Sequence, residues 1–276
     1  MSSRSAAAAV PQSSPRQSGF APATPHLRRF DAFGYSHPGL VRDGNEDTFI
    51  VDPHLGLFGV ADGMGGAAAG EVASRMTIEA VRDLLEDPDI TCPRGLLPPP
   101  LSRSLSQFVS AVEHASARVF MTASTNHTMH GMGSTFTGLL VLEDRIAVAH
   151  VGDSRAYLLR GSSLVQITRD HTLLEELVQR GIMTPEEAAV SDRQHVLSRA
   201  VGVDLSVIVD GCLVAPHSGD IFLLASDGLH GVVPDTVTAA TLLAEPDLTR
   251  AATRLIEHAC DAGGPDNITV VLVRVE

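Results

Sequence analysis

Cysteine is scarce in this chain: Cys92, Cys212 and Cys260 are the three found in 276 residues, and they lie far apart. No Cys-x-x-Cys pair exists, which excludes the zinc knuckle and the dithiol redox centre that such spacing builds. An odd, sparse count also runs against a secreted disulfide scaffold and leads us to expect a reducing, cytoplasmic setting. Long apolar runs are missing too, and none approaches the roughly 20 residues that a membrane-crossing helix needs. The opening MSSRSAAAAVPQSSPR places one arginine and a short alanine run before Pro11. That is too little apolar length for a secretory leader, so none is expected. Positive charge is the third deficit. Lysine and arginine total 20 against 33 aspartates and glutamates, a formal net charge of −13, with no long basic run. A nucleic-acid backbone is gripped by clustered cations, so that class of partner is excluded.

An acidic surface keeps copies of a soluble protein apart, and a monomer is expected. It would also repel a bare phosphate ester. A phosphate-handling activity here would need local positive charge, most simply a bound metal ion, and part of the acidic excess could itself be ligand. Apolar residues make up 44% of the chain, enough for a sizeable core, and the length points to one domain. Residues 1–28 are rich in Ser, Ala, Pro and Gln and hold few large apolar side chains. Such a segment cannot offset its ordering entropy and reads as a disordered tail, which leaves 29–276 as the folded domain.

Strand-like runs dominate that domain: Phe30–Ser36, Thr48–Asp52, Leu57–Ala61, Ser134–Leu142, Arg145–Val151, Ala156–Leu159, Val207–Val214, Ile221–Ala225 and Ile268–Val275. The two-residue breaks Glu143-Asp144 and Gly161-Ser162 require hairpins, and hence largely antiparallel sheets. Leu105, Phe108, Val109, Val112, Ser116, Val119 and Phe120 recur at helical spacing, as do Leu248, Ala251, Ala252, Leu255, Ile256 and Ala259, with Gly263 placed to stop the second helix. A third helix is expected from about Ala69 to Leu85. This pattern predicts an α+β fold of two packed sheets with helices outside. Residues 170–202, with helix-like Leu173–Gln179 followed by Gly181 and Pro185, read as an insertion over a sheet edge, the kind that serves as a lid or flap.

Acidic clusters mark the strand ends. They are Arg42-Asp43-Gly44-Asn45-Glu46-Asp47, Val60-Ala61-Asp62-Gly63, Gly152-Asp153-Ser154-Arg155, Ala225-Ser226-Asp227-Gly228 and Gly264-Pro265-Asp266-Asn267. Asp62, Asp153 and Asp227 each close an apolar run and are followed by Gly or Ser. A carboxylate so placed leaves the sheet edge on a rigid backbone, and an adjacent glycine lets main-chain oxygens approach the same point. Hard cations such as Mg2+ and Mn2+ take such oxygen ligands. One Asp-Gly pair alone is ordinary turn chemistry, and spacing does not show that the aspartates converge.

Seven motifs, in order, go further: GLVRDGNED, FGVADGMGGAAAGEVAS, GMGSTFTGLLV, VAHVGDSRAYLLR, TRDHTLLEELVQRGIMTPEEA, LLASDGL and GGPDNITVVLV. Together they resemble the metal-dependent protein phosphatases, the type 2C serine/threonine class, in bacterial form, over essentially all of residues 30–276. The resemblance implies a four-layer α/β/β/α sandwich with a two-metal centre at one end, loaded with Mn2+ or Mg2+. By position, Asp62 bridges the two core ions, the Gly63 carbonyl binds one, and Asp227 and Asp266 bind the other. Asp47 coordinates directly or through water, Glu46 steers a metal-bound water, and Asp153 joins Asp227 on a third ion. Arg42 matches the arginine that grips the substrate phosphate, which suits its planar fork of donors. The implied reaction is direct attack on phosphorus by a water activated between two ions, so no nucleophilic Cys or Ser is needed. Ser134 and Thr135 would line the back of the site in a structural role.

The implied substrates are phosphoserine and phosphothreonine in proteins, made by a cognate kinase in a signalling pair. Two positions depart from relatives: Met64 stands where eukaryotic members carry a histidine, and Ala67 where many bacterial ones do. The proton donor to the leaving oxygen is thus unassigned, with a metal-bound water the simplest candidate and His37 a less favoured one, and His150, His171 and His195 read as structural or flap residues. An inactive binding module and a different two-metal hydrolase are the competing classes. The complete set of aspartates disfavours the first, and the missing basic groove disfavours a nuclease.

Overall fold

A computed structural model describes residues 30–65, 68–86, 103–191, 193 and 195–276. The tail expected over 1–28, Cys92 and Ala67 fall outside the described residues. One sheet holds β1 (Phe30–His37), β12 (Ile268–Val275), β11 (Ile221–Ala225), β8 (Arg155–Arg160) and β9 (Ser163–Gln166), in that spatial order. The other runs β10 (Asp210–Val214), β7 (Ile146–Val151), β6 (Phe136–Val141), β3 (Leu57–Ala61), β2 (Thr48–Asp52). A two-stranded ribbon joins β4 (Gly63–Met64) to β5 (Gly133–Ser134). Every pairing between these strands is antiparallel. The Gly161-Ser162 break is a two-residue hairpin linking Arg160 to its partner Ser163. Gly161 sits at φ +60, the left-handed conformation that such a turn requires and glycine adopts freely.

The sheets face each other through Phe58, Val60, Leu139 and Val148 on one side and Phe222, Leu224, Val271 and Val273 on the other. Alternate residues of the same strands point outward. Leu57, Phe136 and Val151 meet Phe108 and Val112 beneath α1 (Ala68–Glu86) and α2 (Arg103–Thr125). Leu223, Val270 and Leu272 meet Leu242, Leu255 and Ile256 of α6 (Asp235–Ala244) and α7 (Leu248–Asp261). The result is the expected α/β/β/α sandwich. Strands covered on both faces lose the polar alternation of half-buried ones, which explains why β3 and β11 read as unbroken apolar runs. Phe222 is fully buried between the sheets, and truncating such a side chain to alanine costs about 3–5 kcal/mol.

The structure corrects two strand boundaries and adds one long helix. The expected strand Ser134–Leu142 breaks at Thr135, whose N–H is spent on the Asp62 carbonyl instead of a ladder partner. The strand expected over Val207–Val214 begins at Asp210, because Val207 and Val209 pack on the α1/α2 core. Helix α6 was not expected. Segment 170–202 carries α3 (Leu173–Gln179) and α4 (Pro185–Ala189), the latter opened by a Thr184–Glu187 capping box. Arg155 of β8 grips Asp170 with two nitrogens, at 2.9 and 2.7 Å, and isolated bridges join Thr172 to Leu197 and Ser134 to Val201. The last of the short helices is α5 (Asp227–His230).

Candidate metal centre

The strands of both sheets end at one rim, around a cavity of about 1220 Å3 whose lining includes Arg42, Asp62, Gly63, Asp153, Asp227 and Asp266. Three carboxylates come from one sheet: Asp47 just before β2, Asp62 just after β3 and Asp153 after β7. Two come from the other: Asp227 after β11 and Asp266 before β12. The convergence that spacing left open is thus real. Burial first, then the charges of Asp47, Asp227, Asp153 and Asp266, push the Asp62 carboxyl well above the usual range. Burial and the neighbouring Asp227 and Asp170 push Asp153 up to about 7. Asp227 is raised by burial and by Asp266.

Asp47 lies behind the cavity wall. Its Oδ2 accepts from Ser226 Oγ at 2.8 Å and Thr269 Oγ1 at 2.6 Å, while its Oδ1 is buried with no hydrogen-bond partner. Burial carries this carboxyl up to about 7 despite the two hydroxyls. Asp227 Oδ1 is likewise buried without a partner. The Asp62 backbone is pinned on both sides: its N–H donates to Thr135 Oγ1 at 2.9 Å and its carbonyl accepts from Ser134 Oγ at 3.0 Å. Both hydroxyl residues therefore fix the Asp62 backbone, and Thr135 also lines the cavity. Gly63 is wedged so that a side chain would strike the carbonyl oxygens of Gly70 and Glu46. A Cβ on Gly70 would strike the Glu46 carboxylate, which therefore lies over the first turn of α1. Arg42, 57% exposed, reaches Asp266 Oδ2 at 2.7 Å, so its fork stands at the mouth of the carboxylate cluster.

The donors are all oxygen, which suits hard cations over soft ones. Two buried carboxylate oxygens without partners, among acids that burial and mutual repulsion hold above their ordinary range, fit a site that positive charge completes. Among the described residues, no three acidic, imidazole or thiol side chains already form a direct ligand set.

A family model described as protein phosphatase 2C matches residues 42–269. The chain belongs to the protein phosphatase 2C family. The serine/threonine protein phosphatase PstP of Mycobacterium tuberculosis is 39% identical over 241 residues, which is 87% of this chain and 44% of that protein. This chain therefore spans less than half of the PstP length. The serine/threonine phosphatase stp of Listeria welshimeri is 34% identical over 85% of this chain and 92% of its own. The crystal structure of the PstP catalytic domain in complex with two manganese ions superposes with a TM-score of 0.74 at 36% identity, covering 89% of this chain and 98% of that one.

Within this protein phosphatase 2C domain, Ser134 and Thr135 were expected behind the site, but sequence reasoning missed other residues that brace the candidate ligands. Asn267 Nδ2 donates to the carbonyls of Pro38 at 2.9 Å and Gly44 at 2.8 Å, and its Oδ1 accepts from Glu46 N–H at 2.8 Å. It thereby clamps the loop that carries Arg42 and Glu46. His230, kept neutral by burial that lowers it to about 3, bonds the Asp153 carbonyl at 3.0 Å. Asn267 was legible as the neighbour of Asp266 in a turn, but its reach across the sheet was not. His37 accepts the Gly39 N–H at 3.0 Å, a turn-closing role. His150 and His171 are buried, their ring centroids 4.5 Å apart. His195 reaches within 3.8 Å of Asp227. Cys212 and Cys260 are free thiols, the first exposed and the second half-buried.

Proposed function

We propose that residues 29–276 form a catalytic domain that removes phosphate from phosphoserine and phosphothreonine in proteins. The observation that carries this is the convergence of five aspartates at one rim, with buried Asp47 Oδ1 and Asp227 Oδ1 lacking partners and the Arg42 fork at the entrance. Asp62 would bridge two Mn2+ or Mg2+ ions. The Gly63 carbonyl would serve one of them, Asp227 and Asp266 the other, with Asp47 directly or through water. Asp153 would hold a third ion with Asp227. When bound, the ions supply Lewis acidity and bring the pKa of water towards neutrality. The chain's own residues do the rest. Arg42 turns from Asp266 to the phosphoryl oxygens, which its planar donors match. Glu46, fixed over α1, orients the attacking water by accepting its hydrogen bond. Ser134 and Thr135 keep Asp62 from shifting. Residues 170–202 act as a flap beside the cavity.

Manganese in the PstP neighbour supports the choice of ion. A protein phosphatase presupposes a kinase, so we infer a cognate serine/threonine kinase as partner. We also infer a monomer acting in the cytoplasm. Among the described residues no helix is long and apolar enough to cross a membrane. The test compares a phosphothreonine peptide, a nucleoside monophosphate and DNA, each with Mn2+, with Mg2+ and with chelator. Release of phosphate from the peptide alone, lost in chelator and restored by either ion, is the expected result. Faster hydrolysis of DNA or nucleotide would overturn it.

A further inference from the structure

Eleven large hydrophobic side chains are exposed among the described residues, and they are not spread evenly. Val41, Val203 and Ile208 line the candidate catalytic cavity, at 68%, 48% and 74% exposure. Leu40, Val196 and Leu205, also exposed, adjoin lining residues along the chain. Scattered single apolar residues are normal on a surface, whereas a cluster around a cleft marks a contact site.

These side chains are held out by rigid backbone. Leu40 N–H donates to the Gly264 carbonyl at 2.8 Å, fixing one side of the rim. On the other side Arg199 binds Asp210 at 2.8 Å and the Ile208 carbonyl at 3.3 Å. Val201 exchanges two backbone bonds with Ser134, at 2.8 and 2.9 Å, and the Gly202 N–H donates to Ser116 at 3.0 Å. A preformed surface pays little ordering cost when it binds.

Size and charge narrow the occupant. The cavity of about 1220 Å3 exceeds the roughly 300–1,000 Å3 that encloses a drug-sized molecule, so a phosphorylated side chain alone leaves most of it empty. Both arginines of the lining are engaged by acids, Arg42 by Asp266 and Arg199 by Asp210, while Asp43, Glu71 and Asp204 also line it. Acidic neighbours of a phosphoresidue would be repelled here.

Resting on the phosphatase reading, we propose that this rim selects substrates. The preferred one is an extended phosphoprotein segment with aliphatic side chains beside the phosphoresidue and no acidic ones. Three phosphothreonine peptides with leucine and valine, with serine and glycine, or with glutamate flanks would be compared with N-acetyl-phosphothreonine amide, which has no flanks, under Mn2+. The aliphatic peptide should show kcat/KM about tenfold above the serine-glycine one, the size of discrimination an apolar pocket gives, with the glutamate peptide poorest. The Val203→Ser/Ile208→Ser double variant should lose that tenfold while leaving the flank-free substrate unchanged. Its melting temperature should match the wild type, since both positions are exposed. Equal kcat/KM for the aliphatic and serine-glycine peptides, a lead for the glutamate peptide, or an equal loss on the flank-free substrate would overturn the proposal. Release of phosphate from none of the four by the wild type would instead overturn the phosphatase reading beneath it.

Discussion

Asp153→Asn should make the metal-free protein more stable while impairing catalysis. In the folded chain burial, Asp227 and Asp170 raise the Asp153 carboxyl from its ordinary 3.8 to about 7. That difference corresponds to roughly 4 kcal/mol between its two protonation states. The sign follows from proton binding. Between about pH 4 and 7 the folded chain keeps a proton here that the unfolded chain has released, so stability falls as pH rises through this window and stays low above it. Asparagine has the shape of the protonated acid and never ionises, so it removes the penalty. If backbone relaxation and water entry relieve half of it, about 2 kcal/mol remains, or roughly 4–8 °C in Tm for a domain of this size. The assay is thermal unfolding of wild type and variant in excess chelator at pH 8 and at pH 4.5, then at pH 8 with Mn2+. The variant should lead at pH 8 in chelator, lose most of its lead at pH 4.5, and trail once Mn2+ is added. An Asp153→Asn protein no more stable than wild type at pH 8 in chelator would refute the charge-crowding argument, as would an equal lead at both pH values.

Asn267→Ala should cost about 1–3 kcal/mol, because it leaves the Glu46 N–H and two carbonyls without their partner. It should also raise KM through the loosened Arg42 loop, as denaturant titration and peptide kinetics would show. Arg42→Ala should raise KM at least as steeply as it lowers kcat, with kcat/KM down roughly ten- to a hundredfold. Unchanged kinetics would remove Arg42 from the site. Asp62→Ala should be nearly inactive with either ion and should bind less Mn2+ by calorimetry, since its carboxylate would serve both core ions.

How much of this was legible in the chain depends on how local the signal is. β2, β3, β11 and the C-terminal limit of β12 fall where turn residues bracket apolar runs, and the helix of Leu248, Leu255 and Ile256 shows its period plainly. Helix α6 was hidden because Asp235–Ala244 is rich in threonine and small residues and buries only Thr238, Thr241 and Leu242, so little period remains. The candidate ligands stood out because aspartates ending apolar runs are conspicuous. Their supports did not. Ser226 and Thr269 look like ordinary residues at strand ends, and each finds Asp47 only through the packing of two sheets. Arg42 shows the same limit from the other side, since its motif position implied phosphate binding while its contact with Asp266 needed the fold.

Asp47 is held by Thr269, 222 residues further along the chain. A ribosome must therefore synthesise all of the intervening polypeptide before this carboxylate acquires the Thr269 hydroxyl. The five aspartates are divided between the sheets, three on one and two on the other. The complete cluster, and with it the metal centre proposed above, would therefore form only once β11 and β12 have been made and the two sheets have packed. On the reading proposed above, a nascent chain that stops short of β11 would lack Asp227 and Asp266 and should release no phosphate.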